Sequence, residues 1–147
     1  MLIGIDPRMT PPLMDVLMRM GHGDEIAVVD ANFPADSIAA ATRIGAPVHL
    51  PGFTAPEAIG LITKYMPLDG FSRACAWRME IDDTPETLGE VHEEALRLID
   101  ACKPEGAGTG SIARMDFYPR AARAFAIVAT TETRPYGCFI LKKGVVL

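Results

Sequence analysis

Five short apolar runs constrain this fold most: Glu25–Val29, Ala74–Glu80, Ile112–Met115, Phe125–Thr130 and Phe139–Leu141. A three-residue candidate, Val48–Leu50, joins them. Runs this short, bounded by turn residues and separated by helical patterns, describe strands rather than buried helices. Thr10-Pro11-Pro12 marks a helix start, with threonine at the N-cap and proline where a missing N–H costs little. Leu13, Val16, Leu17 and Met20 follow at helical spacing, and Gly21 is the expected left-handed C-cap. A loosely helical, alanine-rich stretch comes after Phe33-Pro34. Thr54-Ala-Pro-Glu57 is a capping box opening a helix to about residue 66, with Ile59, Ile62 and Met66 inward. Thr84-Pro85 opens the longest helix, whose expected stripe is Leu88, Val91, Ala95, Leu98 and Cys102. A short helix around Pro119–Ala124 separates two of the strands. Alternating strands and helices predict an α/β domain, three layers α/β/α around a mostly parallel sheet. The last two runs lie too close for a crossover helix, so one of them runs antiparallel and the sheet is mixed.

The 147 residues suit a single domain, 1–147, able to bury a core without staples. A net charge of −5 leaves no basic stripe for nucleic acid. Arg114, Arg120 and Arg123 cluster, but three arginines read as a solvated face or single-anion contacts. No apolar run approaches the roughly 20 residues of a membrane span, and no signal peptide is evident. Cys75, Cys102 and Cys138 are odd in number and unpaired in spacing, which fits a reducing cytoplasm.

Several motifs dissolve on inspection. Gly106-Ala-Gly108-Thr-Gly110-Ser111 resembles a phosphate loop but follows a helix, opens a strand and lacks the lysine of a P-loop, so it reads as a flexible turn. The histidines His22, His49 and His92 have no metal-ligand spacing, and His92 is expected on a polar helix face. No serine sits in a G-x-S-x-G elbow. His22 stands apart. Glycines on both sides allow a sharp turn and close ligand approach, and an imidazole exchanges protons near neutral pH. It equally suits capping of the preceding helix, where the dipole favours a cation. Asp30 sits beyond a strand's carboxyl end, where open α/β sheets bind ligands, or it serves as the N-cap of the next segment. Tyr136-Gly137-Cys138 offers a hydroxyl and backbone N–H groups, or a plain turn.

Together these residues resemble a known family. Met20-Gly-His-Gly-Asp-Glu25, Asp30-Ala-Asn-Phe-Pro34, Arg114 with Phe117-Tyr118, Ala124-Phe-Ala-Ile-Val128 and Lys142-Lys143-Gly144 are similar to the L-fucose mutarotase branch of the RbsD/FucU family. The likeness covers nearly the whole chain and is weakest over about residues 80–110. It implies an RbsD-like fold and an isomerase that interconverts L-fucose anomers without a cofactor or metal. By resemblance His22 is the general acid, Asp30, Arg114 and Tyr118 contact sugar, and Asp69 is a further binding residue. Tyr136, Gly137 and position 138 match a sugar-binding Tyr-Gly-Asn stretch, with Tyr118 or Tyr136 as counterpart to His22. Relatives form rings or stacked rings whose sites a neighbouring subunit completes, so a homo-oligomer is implied.

Position 138 departs from the pattern, because cysteine stands where asparagine is usual. A thiol is a weak donor and acceptor, so the exact sugar is more affected than the reaction. The alternatives are a D-ribose pyranase, which Asn32-Phe33-Pro34 disfavours, a monosaccharide-binding protein without turnover, and a structural oligomer with no ligand.

Overall fold

A computed structural model describes residues 1–147. In chain order the elements are α1 (Pro11–Arg19), β1 (Glu25–Val29), α2 (Ala35–Ala39), β2 (Val48–Leu50), α3 (Ala55–Thr63), β3 (Ala74–Met79), α4 (Glu90–Cys102), β4 (Gly108–Ile112), α5 (Arg114–Ala122), β5 (Ala126–Thr130) and β6 (Phe139–Lys142). The strands form one sheet in the order β2-β5-β1-β6-β3-β4. β1 and β2 run parallel to β5, and β4 parallel to β3. β6 is antiparallel to both β1 and β3. The short β5–β6 connection requires the reversal expected from the sequence, and β6 occupies the middle of the sheet.

Side-chain alternation divides the core into two clusters on opposite faces of this sheet. Ala126, Ile26, Leu141 and Ala76 align across β5, β1, β6 and β3. All four belong to the larger cluster, which α1, α3 and α4 cover. Ala27, Val29, Ile127 and Ile140 point the other way, onto Phe117 and Ala121 of α5 and Ala39 of α2. The result is the expected α/β/α arrangement. No helix is long and apolar enough to cross a membrane.

Helix starts follow the sequence signals where a side chain can cap. Thr10 Oγ1 accepts from the Leu13 N–H, and Thr54 and Glu57 close a reciprocal capping box. Other boundaries differ. Of the glycine-rich run expected as a turn, Gly106 does turn (φ +83°), but Gly108–Ser111 belong to β4, and Ile112–Met115 is the end of that strand plus the start of α5. Its glycines make room for neighbours: a Cβ at Gly110 would lie 2.6 Å from Trp77 Cδ1, and one at Gly108 would lie 2.9 Å from the Arg73 carbonyl oxygen. Close packing against β3 therefore outweighs the low strand propensity of glycine. α5 begins five residues before Pro119 and carries that proline inside. α4 begins at Glu90, not Thr84-Pro85, and it buries Val91, Ala95 and Ile99, while Leu88 ahead of it and Leu98 and Cys102 within it are exposed rather than buried. His92, expected on the polar face of this helix, is buried with them. α3 ends at Thr63, although Met66 is still buried beyond it. The left-handed glycine after α1 is Gly23 (φ +87°), and Gly21 is not in that region.

Candidate active site

The residues singled out in the sequence gather at two places, at opposite ends of β1. The first is the turn that feeds β1. Gly21 N–H donates to Asp24 Oδ2 (2.7 Å), and Gly23 N–H to the Lys143 carbonyl (2.9 Å). Lys143 Nζ donates to the last carbonyls of α1, Leu17 (2.8 Å) and Met20 (2.6 Å). A lysine thus occupies the cationic position at the helix C-terminus that the dipole favours, leaving His22 free to face outward. Gly144, next in the chain, has no room for a side chain against the Leu68 carbonyl, so the two segments lie in close contact.

His22 Nε2 lies 3.1 Å from Asp69 Oδ1. Asp69 is buried, and its Oδ1 also accepts from the Phe71 N–H (3.1 Å). The neighbouring Ser72 hydroxyl, the Phe71 N–H, His22 and Lys142 together hold this carboxyl well below the usual carboxylate range, against the effect of burial. Asp69 Oδ2 has no well-aligned hydrogen bond and is served by Lys142 Nζ at 3.5 Å. An ionised carboxylate only accepts, so Nε2 of His22 carries the hydrogen and Nδ1 is the nitrogen left for chemistry. The imidazole is half-exposed and meets the ring of exposed Phe71 edge-on at 5.3 Å.

The second place is a pocket of about 220 Å³ at the carboxyl ends of the strands. Asp30, Arg114, Tyr118, Tyr136 and Cys138 line it together with Asn32, Phe33, Met79 and Pro135. Each comes from a different structural decision. Asp30 ends β1, Arg114 and Tyr118 are one turn apart on α5, and Tyr136 adopts a left-handed φ of +59° that turns the chain into β6. Asp30 is buried; its Oδ1 accepts from the Asn32 N–H (3.0 Å) and its Oδ2 from the Cys138 thiol (3.4 Å). Burial and the adjacent Asp30 charge push the Cys138 thiol well up, so it stays protonated. Arg114 Nε donates to Asp82 Oδ2 (2.8 Å), and the Tyr118 phenol and Asp82 carboxylate raise the guanidinium further. Phe33 packs on Tyr118 with ring centroids 5.5 Å apart. Gly137 stands behind the pocket, where a Cβ would lie 2.8 Å from Glu132 Cγ.

A larger cleft of about 640 Å³ near Arg43 and Arg123 has less to recommend it. Both arginines are exposed, whereas the smaller pocket converges buried polar groups with apolar walls, the usual make-up of a ligand site.

Five of the expected residues, Asp30, Arg114, Tyr118, Tyr136 and Cys138, therefore assemble in one pocket within one chain, with Gly137 behind it, and His22 with Asp69 does not join them. Asp69 is not a pocket wall but the carboxylate behind His22. Several contributors were given no role by the sequence, Lys142 and Lys143 among them although they stand in one of the family motifs. Lys142 and Lys143 organise the histidine turn, and His92 and Glu132 anchor the Tyr136 loop from beneath. The polar stretch Thr130-Thr-Glu-Thr-Arg134 gives no local signal that Glu132 is buried.

The chain as a whole has counterparts among known proteins. The chain is 36% identical to human fucose mutarotase over 98% of this chain and 94% of the human protein. The crystal structure of the fucose mutarotase from Streptococcus pneumoniae in complex with L-fucose superposes with a TM-score of 0.85, at 34% identity, over 99% of this chain and 100% of that one. The Bacillus subtilis RbsD structure with D-ribose shares the fold alone, at 18% identity and a TM-score of 0.74 over 100% of both chains. A profile described as the RbsD / FucU transport protein family matches residues 3–146. With that match spanning the histidine turn, the pocket and every strand between them, the chain belongs to the RbsD/FucU family.

Proposed function

We propose that this chain is an L-fucose mutarotase, one domain over 1–147 that interconverts the α and β anomers of L-fucose or a closely related monosaccharide. The observation that carries the reading is the combination of a small, partly apolar pocket lined by Asp30, Arg114, Tyr118 and Tyr136 with a histidine whose outward Nδ1 is backed by an ionised carboxylate. Mutarotation breaks the bond between the anomeric carbon and the ring oxygen. A proton leaves the anomeric hydroxyl, another reaches the ring oxygen, and the free aldehyde rotates before the ring closes on its other face. Only protons move between groups, so an imidazole near neutral pH suffices. The His22 imidazolium supplies the proton to the ring oxygen through Nδ1 and is left as the neutral ring with its hydrogen on Nε2, facing Asp69. Tyr118 or Tyr136 takes the proton of the anomeric hydroxyl on its phenol oxygen as it releases its own to solvent, while Asp30 and Arg114 hold the remaining hydroxyls.

β1 alone spans about 17 Å, so His22 does not reach the pocket of its own chain. The reading therefore includes a homo-oligomer in which the His22–Asp69 pair of one copy faces the pocket of another. Exposed Phe71 beside His22 and exposed Met115 beside Arg114 are apolar groups suited to that contact.

Saturation-transfer NMR on L-fucose and D-ribose tests the reading directly. Accelerated exchange of L-fucose anomers is expected, from a species that light scattering finds larger than one chain. Binding of L-fucose without acceleration would instead identify a sugar-binding protein, and acceleration confined to ribose pyranose–furanose exchange would identify a pyranase. Cys138→Asn tests the departure at position 138. An amide can donate to and accept from a sugar hydroxyl where the thiol now engages Asp30, so the KM for L-fucose is expected to fall by about threefold to tenfold, the equivalent of one hydrogen bond. An unchanged preference among fucose, galactose and ribose would remove position 138 from the specificity determinants.

A further inference from the structure

His92 belongs to neither place described above, yet it is wholly buried, and both of its ring nitrogens are engaged. The N-cap of α4 is Gly89, which has no side chain to cap the helix. His92 supplies the missing half from the third helical position, its Nδ1 accepting from the Gly89 N–H at 3.0 Å. With Nδ1 an acceptor, the hydrogen of a neutral ring lies on Nε2, which donates to the Tyr136 carbonyl at 2.9 Å. That carbonyl also accepts from the Cys138 N–H (2.8 Å), closing a tight turn around Gly137. Tyr136 holds the left-handed φ of +59°, a conformation costly for a non-glycine residue unless its surroundings impose it. Val91 and Glu132 close in on Gly137 from the same side, so the turn has no space to relax inward. The ring of Phe139, edge-on at 5.9 Å, fixes the imidazole plane.

His92 thus reaches from the α1/α3/α4 layer, past the start of β6, to the loop that presents Tyr136 and Cys138 to the pocket on the other face. We propose that His92 is a positioning residue for sugar recognition, holding Tyr136 in its left-handed conformation through the Nε2–H bond to its carbonyl. The role in sugar recognition rests on the mutarotase reading; the hold on the loop does not.

Two substitutions separate positioning from helix capping. His92→Asn keeps an acceptor for the Gly89 N–H but is too short to donate to Tyr136. His92→Gln keeps a donor at about the distance of Nε2 and is a normal capping-box residue at this position. For His92→Asn the KM for L-fucose is expected to rise about threefold to tenfold, the worth of one hydrogen bond, with kcat within twofold of wild type. His92→Gln is expected to restore KM. Amide hydrogen exchange at Gly137 and Cys138 reads the loop itself, and it should quicken about tenfold in His92→Asn and stay near wild type in His92→Gln. Equal KM in both variants and the wild type overturns the proposal. So does a loss shared by both variants in step with their thermal midpoints, which is the mark of a cap alone. If the wild type neither binds nor turns over L-fucose, the mutarotase reading fails, and unchanged exchange at Gly137 and Cys138 in His92→Asn would then sink the positioning role on its own.

Discussion

Replacing His22 with alanine is expected to lower the accelerated exchange of L-fucose anomers by about 10²–10⁴, the usual contribution of a positioned acid–base group. The fold should hardly notice. The imidazole is half-exposed, and its pairing with Asp69 is discounted by solvent on that side. Asp69 remains held by the Phe71 N–H and Lys142 when the ring is gone. Thermal unfolding should therefore stay near that of the wild type while saturation transfer loses its enhancement. Asp69→Asn sharpens the test, because an amide can donate to Nε2 and so move the imidazole hydrogen to Nδ1. With the negative charge gone, the imidazolium that donates the proton is less favoured, and activity should fall with little change in sugar binding. Full activity in both variants would remove the pair from the mechanism.

The second large effect is on stability. Glu132→Ala is expected to destabilise the protein by about 3–5 kcal/mol, the range for breaking a buried ion pair from one side. Only 2% of Glu132 is exposed, and its carboxylate takes two bonds from the Arg134 guanidinium, 2.9 Å from Nε and 2.8 Å from the second terminal nitrogen. It also accepts from the Arg134 N–H (2.9 Å) and from the Ala55 N–H (3.2 Å) at the start of α3. Truncation leaves all of these donors short of a partner, although Glu94 still holds one arm of Arg134.

The same carboxylate makes a pH prediction. Burial raises its pKa, but Arg134 and the backbone N–H groups outweigh burial and hold it below the ordinary value of 4.5. A carboxyl with a lowered folded pKa contributes stability that is fully present above the unfolded value and is lost as pH falls through the folded one. Urea unfolding should show wild type losing stability below about pH 4.5, and Glu132→Gln losing less of it. Identical pH profiles for the two proteins would mean that Glu132 is not the group responsible.

Much of this molecule was legible in the chain. β1 and β2 fall where the apolar runs put them, because a run of five or three residues between turn signals has few other uses. The capped starts of α1 and α3 appeared as written, since capping is a contact between residues three apart. The pocket residues were found through resemblance to a family, and they do assemble: Asp30, Arg114, Tyr118, Tyr136 and Cys138 share one cavity.

The failures have one character. Gly108–Ile112 is a strand only because Trp77 and the Arg73 carbonyl lie against it, and neither is near in sequence. α4 lacks a side-chain cap at Gly89, so its start depends on His92, whose other nitrogen depends on Tyr136. Glu132 reads as a loop glutamate until Ala55 and Arg134 close around it. Asp69, expected to bind sugar, gives no sign in the chain that β6 will bring Lys142 beside it or that it will stand behind His22, away from the pocket.

By itself, then, the sequence determined the elements that rest on local periodicity and capping, the α/β class, and, through the resemblance, which residues to look for at a site. The tertiary structure alone decided that the histidine turn and the pocket stand at opposite ends of β1, and that a buried histidine and a buried glutamate hold the pocket loop. The reason is physical: periodicity and caps act over three or four residues, whereas burial and a polar group's partner depend on segments that only the paired sheet brings together.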